Sequence, residues 1–392
     1  MERNSLKLAI LLLAFSVGIT LAGIRFYQST VTTVDPPDPL IEQPTNNSND
    51  KTLEMVFVLD TTGSMGGLLD GAKQKIWGII NDVMQKQSHP SVKVGLVAYR
   101  DKGDDYVTQV LPLTEDLDKV YTRLMQFQAG GGGDTPEDVR QALADGVQKA
   151  GWSQSRKGLA QIIFLVGDAP PHAYENEPDV LVTTAAATRK NMIVNTIQCG
   201  NDSETARVWN SIAQNGQGKF FAIAQDGGVE TIRTPYDDQL SQLGQKIGST
   251  YVSYGAAPLR EAKTADAAST ESTMANSAAP SAQAERAYNK ALNKDAYDGD
   301  LIQDIENGKT KLEDVKTTDL PTEFQKMSSD DRQKAVETRL AERKQIRAQI
   351  VDLSKQRDAY IAAERKKSGK QNGFDTAVST ALAEQLSSKG IE

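Results

Sequence analysis

Cysteine and histidine are nearly absent from this chain of 392 residues. The single cysteine, Cys199, excludes an internal disulfide framework and any zinc site built from several cysteines. Two histidines, His89 and His172, are too few for a histidine-rich metal centre. Lysine and arginine number 44 against 52 aspartates and glutamates, which gives a formal net charge of −8. We therefore expect no nucleic-acid partner, because such proteins carry clustered basic residues.

Long hydrophobic runs are also scarce, and the clearest one covers residues 8–24. Its length of about 17 residues is near the lower limit for crossing a bilayer. Arg3 and Lys7 precede it, as in a signal peptide or in an anchor that keeps the amino end inside the cell. The small-residue cleavage site at 20–22 is imperfect, which favours the anchor. Residues 1–27 are thus predicted to hold the chain in the cell membrane, with its bulk in the periplasm or outside the cell; secretion after cleavage is the alternative.

Four segments of different composition follow this run. Residues 28–53 are rich in proline, asparagine and threonine and predict a spacer without a core. In residues 54–250, apolar runs of strand length alternate with segments of helical period. This pattern predicts a doubly wound α/β domain whose mostly parallel sheet has helices on both faces. Residues 251–284, rich in alanine, serine and threonine, predict a flexible linker, and residues 285–392 predict a helical C-terminal region.

One long charged helix is predicted within the C-terminal region, over about residues 330–367. Ser328 and Asp331 have the spacing of a capping box at its start. Apolar residues follow at heptad-like spacing, but Arg339, Arg343 and Arg357 interrupt the same seam. The pattern favours a helical hairpin or a docking helix over a coiled coil. A solvated helix with a narrow apolar stripe, and self-association through these helices, stay open.

Five residues with a hydroxyl or carboxylate side chain lie just after two of the predicted strands or just before a predicted helix. Asp60, Thr62 and Ser64 lie in "VLDTTGSMGG", Asp168 ends "IIFLVGD", and Thr135 lies in the glycine-rich "GGGGDTPED". Sites in such sheets form at the carboxyl ends of the strands, so we expect these five residues to lie close together. All five offer hard oxygen ligands, which suit Mg²⁺, with Mn²⁺ or Ca²⁺ as alternatives. The three hydroxyls would coordinate the ion, and the two carboxylates would act directly or through water.

The stretch "VFVLDTTGSMGG" resembles the first strand and the D-x-S-x-S loop of von Willebrand factor A domains, and the whole chain resembles exported bacterial proteins that carry one. In that family the loop belongs to a metal-ion-dependent adhesion site, to which Thr135 and Asp168 correspond as ligands from two further loops. Thr62 replaces the first serine of the pattern but keeps a hydroxyl, whereas "GDAPPH" departs from the commoner Asp-Gly turn. The resemblance implies an adhesion or assembly module, not an enzyme, that binds an Asp or Glu of a protein partner.

Three alternative functions are open for the residues of this predicted site. "DTTGS" resembles the phosphorylated loop of P-type ATPases, but Thr61 stands at the lysine position. Ser64, Asp168 and His172 have the chain order of a hydrolase triad, yet an aspartate and a histidine four residues apart do not easily serve one serine. A structural protein, in which the metal only stiffens the domain, is the third alternative.

Simpler interpretations apply to several polar residues. The polar run over residues 99–105 is interpreted as the solvated tip of a hairpin, and the glycines at 130–133 also fit a loose turn. His172 beside two prolines is interpreted as a surface loop residue, and Cys199 as buried packing.

Overall fold

Six apolar runs form one β-sheet in the computed structural model, which describes residues 51–84, 90–133, 135–223, 232–293, 299–368 and 373–391. The strands are β1 (Thr52–Asp60), β2 (Ser91–Tyr99), β3 (Thr108–Thr114), β4 (Leu159–Gly167), β5 (Ile193–Cys199) and β6 (Gln217–Ile223). Their order is β3-β2-β1-β4-β5-β6, with β3 antiparallel to β2 and the other pairs parallel. The predicted sheet and its edge hairpin are confirmed.

Helices follow the strands and continue beyond them. Those between strands are α1 (Leu69–Met84), α2 (Leu117–Gln126), α3 (Val139–Gln148), α4 (Val180–Arg189) and α5 (Ser203–Asn215). The later ones are α6 (Asp237–Ser249), α7 (Ala257–Ser277), α8 (Pro280–Leu292), α9 (Leu301–Glu306), α10 (Thr322–Gln325), α11 (Ser329–Ser368) and α12 (Gly373–Ser388). Short 3₁₀ turns occupy Gly63–Gly67, Leu312–Asp314 and Thr317–Asp319.

Both faces of the central strands β1 and β4 are buried, which explains why these strands are apolar without alternation. Phe57 and Leu59 of β1 point to the face that α1 and α2 cover, whereas Val56 and Val58 point to the face that α3, α4 and α5 cover. Phe57 stacks on Phe164 of β4, with ring centroids 5.1 Å apart. The doubly wound fold is therefore present as predicted.

The last helix, α12, completes the first of these faces. Its Val378, Leu382 and Leu386 belong to the same buried cluster as Phe57. The Gln385 and Asn195 amides donate to each other at 2.8 and 3.1 Å, which ties α12 to β5. Helices from the predicted C-terminal region thus supply part of the core beneath the sheet.

The segment predicted to be a flexible linker is helical in the structure. Helix α7 covers Ala257–Ser277, and α8 starts at Pro280. Alanine has the highest helix propensity, and Met274 of α7 is buried in the core, so the segment has both a local and a tertiary reason to fold. The prediction of flexibility was wrong because it treated low complexity as lack of structure.

Helix α11 docks along the other helices. Ser328 caps its start by accepting from the Asp331 N–H at 3.2 Å, as predicted. The arginines that interrupt its seam find acidic partners: Arg343 binds Asp300 at 2.6 Å, and Arg357 binds Asp237 at 2.8 Å. Apolar residues of α11 also pack against α6 and α8. These contacts make α11 a docking helix, one of the predicted outcomes.

The predicted membrane segment, residues 8–24, lies outside the described residues. Within the described residues, no helix has both the length and the apolar character needed to cross a membrane.

Candidate functional site

The candidate site lies where β1 and β4 end side by side. Asp60 is the last residue of β1, and Asp168 comes directly after β4. The loop after β1 turns at once into the 3₁₀ segment Gly63–Gly67, which places Thr62 and Ser64 beside the two carboxylates.

Four of the five predicted residues form a continuous chain of hydrogen bonds. The Thr62 hydroxyl donates to Asp60 Oδ1 at 2.7 Å, and the Thr62 N–H donates to the same oxygen at 2.8 Å. Thr62 Oγ1 and Ser64 Oγ lie 3.1 Å apart, and the Ser64 hydroxyl donates to Asp168 Oδ1 at 3.0 Å. Two carboxylates and two hydroxyls therefore converge on one small volume.

Asp60 is held in an environment that disfavours its charge. The residue is fully buried, and its Oδ2 has no hydrogen-bond partner within the described part of the chain. Burial, together with the neighbouring Asp168 carboxylate, raises the pKa of Asp60 from 3.8 to about 7. Burial also raises the pKa of Asp168, although its hydrogen bond from Ser64 opposes that shift. A cation placed here would relieve both effects.

Glu137 belongs to the same site, and the sequence analysis missed it. The residue is 2% exposed, and its Oε2 has no hydrogen-bond partner among the described residues. Burial and the carboxylates of Asp60, Asp101 and Asp104 raise the pKa of Glu137 to about 8. Its backbone joins two loops, since it donates to Pro170 O at 3.0 Å and accepts from the His172 N–H at 2.7 Å. The one signal in the sequence is an acid two residues after Thr135.

Thr135 does not take part in the hydrogen-bond chain that joins the other four predicted residues. It is exposed, and its hydroxyl makes no hydrogen bond to another described residue. Its loop nevertheless reaches the site: a Cβ built on Gly132 would lie 3.0 Å from Thr62 Cβ and 2.9 Å from Glu137 Oε1. Thr135 thus lies in a loop that contacts the site, but its side chain makes no hydrogen bond to Asp60, Thr62, Ser64 or Asp168.

The loop that joins β2 to β3, residues 100–107, is only in part the solvated hairpin tip that the sequence suggested: Lys102, Gly103 and Asp105 are exposed, but the residues that begin the loop are not. Arg100 is 8% exposed and Asp101 is 4% exposed. Both turn inward because they hydrogen-bond to neighbouring loops: Arg100 to Thr61 O, and Asp101 to the Tyr174 hydroxyl. We call residues 100–107 the bridging loop. The glycines at 131 and 132 are likewise not a loose turn, because both have positive φ and are hydrogen-bonded in place.

Comparison with known proteins identifies the fold that carries this site. Residues 54–235 match the family model described as von Willebrand factor A domain. The chain contains a von Willebrand factor A domain. The matched range includes β2 to β6, all of β1 except its first two residues, and all the site residues described above.

Individual relatives match the A domain over short stretches. An ariadne-like RING finger protein of Acanthamoeba polyphaga mimivirus is 27% identical over 134 residues, which is 33% of this chain and 12% of the viral protein. The von Willebrand factor A domain-containing protein 7 of Rattus norvegicus is 39% identical over 89 residues, which is 22% of this chain and 9% of the rat protein. The matches thus span about a tenth of either relative's length.

Two solved structures are similar to the same part of the chain. The hypothetical protein BatB from Bacteroides thetaiotaomicron has a TM-score of 0.34 at 17% identity and covers 44% of this chain and 90% of its own. The VWA domain of SpRpn10 has a TM-score of 0.35 at 17% identity, covering 44% of this chain and 88% of its own.

The A domain offers donors that fit a small hard cation. Carboxylate and hydroxyl oxygens are the ligands that Mg²⁺, Mn²⁺ and Ca²⁺ take in proteins. Asp60 Oδ2 is a buried acceptor without a partner, and the hydroxyls of Thr62 and Ser64 lie within 3.1 Å of each other. Asp168 supplies the second carboxylate on the far side of Ser64. The residues present therefore fit a divalent ion.

The same geometry weakens the two enzymatic alternatives. Phosphorylation of Asp60 needs an accessible carboxylate, but this one is 0% exposed. The hydrolase triad needs His172 to accept the Ser64 proton, but the Ser64 hydroxyl donates to Asp168 instead. His172, the other candidate partner, instead stacks on Tyr174 with ring centroids 4.0 Å apart.

Proposed function

We propose that this protein is an exported protein-binding module, acting in adhesion or assembly, that engages its partner through a divalent cation. Residues 1–27 tether it to the cell membrane, with the A domain in the periplasm or outside the cell. Asp60, Thr62, Ser64 and Asp168 hold the ion, with Thr135 joining from the second loop. An exposed Asp or Glu of a protein partner completes the coordination.

One observation carries the proposal: a buried carboxylate oxygen, Asp60 Oδ2, has no hydrogen-bond partner among the described residues and lies at the end of a chain of hydroxyls. A buried ionised group is unfavourable unless something compensates its charge. Asp60 Oδ2 has no hydrogen-bond partner among the described residues, and Asp168 adds a second negative charge nearby. A cation compensates both charges, and hydroxyl ligands add none of their own. The ion then keeps enough positive charge to attract a carboxylate from outside.

Mg²⁺ is the first choice of ion, since the small set of hydroxyl and carboxylate ligands leaves room for water. Mn²⁺ and Ca²⁺ accept the same oxygen donors. When bound, the ion would supply a positive point to which an anionic side chain attaches.

Isothermal titration with Mg²⁺, Mn²⁺ and Ca²⁺ tests the metal site in the chain from residue 51 onward. We expect binding by the native sequence and its loss in Asp60→Asn, a variant that keeps the size and buried polarity of the side chain. Glu313→Gln is the matched control, since its side chain is 77% exposed in the 3₁₀ turn Leu312–Asp314, outside residues 54–235. The absence of binding by all three ions, or unchanged binding by Asp60→Asn, would contradict the proposal.

A capture experiment from envelope extract tests the partner. Proteins retained in Mg²⁺, released by EDTA and absent with Asp60→Asn would support binding through the ion. Sedimentation of the purified chain at several concentrations tests the structural alternative. Self-association that persists in EDTA, with no ion-dependent capture, would favour a role for the helices instead.

A further inference from the structure

The bridging loop, residues 100–107, contacts the first ligand loop through Arg100. The Arg100 Nε donates to Thr61 O at 3.2 Å, and its Nη2 donates to Gln128 O at 2.9 Å. The Tyr106 hydroxyl lies 2.7 Å from Thr61 Oγ1. Thr61 stands between Asp60 and Thr62, so these bonds fix the backbone from which both candidate ligands project. The guanidinium also links this backbone to the loop that leads to the glycines.

The bridging loop contacts the second ligand loop through Asp104. Its Oδ2 accepts from the Gly132 N–H at 2.9 Å and from the Asp101 N–H at 3.1 Å. Gly131 has a φ of 73°, and a Cβ there would lie 2.4 Å from Asp104 Cγ, so only glycine permits this approach. The Gly131 carbonyl in turn accepts from the Gly63 N–H at 3.1 Å, between Thr62 and Ser64.

The bridging loop contacts the third ligand loop through Asp101 and Lys102. The Tyr174 hydroxyl donates to the two Asp101 oxygens at 2.8 and 2.9 Å. The Tyr174 ring lies between His172, whose ring centroid is 4.0 Å away, and Lys102 Nζ, which is 3.7 Å from the ring centroid. Lys102 also forms an ion pair with Glu177. These contacts hold the segment that follows Asp168.

We infer that Arg100, Asp101 and Asp104 are positioning residues of the cation site. They do not ligate the ion; they hold the three ligand-bearing loops in the arrangement that receives it. This inference rests on the proposed cation binding, but it also predicts an effect in the metal-free protein. Partners that orient metal ligands typically change affinity about 10–100-fold when they are removed.

The comparison of Asp104→Ala with Asp104→Asn distinguishes the hydrogen bonds that Asp104 accepts from the effect of its negative charge. Both variants remove the same negative charge, but the asparagine oxygen still accepts from the Gly132 and Asp101 N–H groups. We expect Asp104→Ala to weaken Mg²⁺ binding at least about 10-fold in isothermal titration. Asp104→Asn should lie much closer to the native affinity. Equal weakening in both variants would mean that Asp104 acts by charge alone and would overturn the inference.

Tyr174→Phe tests the third loop in the same titration. It removes the hydroxyl that donates to Asp101 and keeps the aromatic ring between His172 and Lys102. We expect Mg²⁺ affinity to fall several-fold relative to the native chain. Unchanged affinity would exclude Asp101 from the positioning set.

Amide hydrogen exchange in EDTA tests the inference without any ion. In Asp104→Ala, the N–H groups of Gly63 and Gly132 should exchange faster than in the native chain, and in Asp104→Asn they should not. If the native chain binds no cation but this pattern is found, the proposed function fails while the positioning role stands. If exchange in Asp104→Ala is unchanged, the positioning role fails whether or not the protein binds cations.

Discussion

Asp60 makes the stability of the metal-free protein depend on pH. Its pKa rises from 3.8 to about 7 on folding because of burial and the Asp168 carboxylate. A carboxyl group with a raised folded pKa stabilises the fold fully below its unfolded pKa and loses that contribution as pH rises through the folded value. The stabilisation is therefore present below about pH 4 and lost above about pH 7. Its size is at most about 4 kcal/mol.

We expect the melting temperature in EDTA to fall between pH 4 and pH 8, and to fall less in Asp60→Asn. Mg²⁺ should raise it more at pH 8 than at pH 5, because the ion competes with protons for the same carboxylates. Thermal unfolding followed by circular dichroism measures both effects, with Glu313→Gln as the control. Parallel pH profiles for the native chain and Asp60→Asn would show that Asp60 is not the group responsible.

The predictability of the site differs from residue to residue. Asp60, Thr62 and Ser64 lie within five positions of one another, and a strand end delivers them together, so a short motif identifies them. Glu137 and Asp101 reach the site only because separate loops fold over one another. Their burial depends on contacts with Pro170 and Tyr174, which no local pattern reveals.

At the scale of the element, α12 behaves as part of the A domain core. Leu386 is 2% exposed in the cluster that contains Phe57. We expect Leu386→Ala to lower the free energy of unfolding by about 2–5 kcal/mol, through lost burial and the cavity left behind. Chemical denaturation measures this loss. Glu384→Ala on the same helix is the control, since that side chain is 63% exposed, and it should change stability by less than about 0.5 kcal/mol. A similar small change in both variants would mean that α12 is not needed by the core.

The strands were easier to predict than the later helices. A run such as "IIFLVG" is apolar on both faces, and only a covered sheet buries both. Helix α7 has six alanines, three serines and three threonines among its 21 residues, a composition that fits either a helix or a linker. The contacts that favour the helix are made with another element and are not visible in its own composition: Glu271 of α7 binds Arg286 of α8 at 2.8 Å.

At the scale of the whole molecule, a buried charge cluster joins the sheet domain to the later helices. Asp118 of α2 lies against Arg286 and Lys290 of α8, and both cations also bind Glu271. Burial alone would raise the pKa of Asp118, but Lys290 and Arg286 lower it from 3.8 to about 2. A depressed pKa gives stability that is present above the unfolded value and lost as pH falls through the folded one.

We therefore expect acid to weaken the molecule between about pH 4 and pH 2, with about 2 kcal/mol lost through Asp118. Asp118→Asn should be less stable than the native chain at pH 7, by about 3–5 kcal/mol, because it leaves two buried cations with Glu271 as their only carboxylate in this cluster. The difference between the two proteins should shrink as pH approaches 2. Denaturation curves at pH 7, 4 and 2 measure it, and a difference that stays constant would contradict the role of Asp118.

The return of α12 to the sheet also sets the order in which the chain can fold. Lys75 of α1 forms an ion pair with Asp375 of α12, although the two residues are 300 positions apart. The ribosome releases β1 and α1 long before α12. The sheet face that α12 covers must therefore stay exposed until α12 has been synthesised. Contacts between such distant positions slow folding, and the exposed apolar surface favours aggregation during that interval.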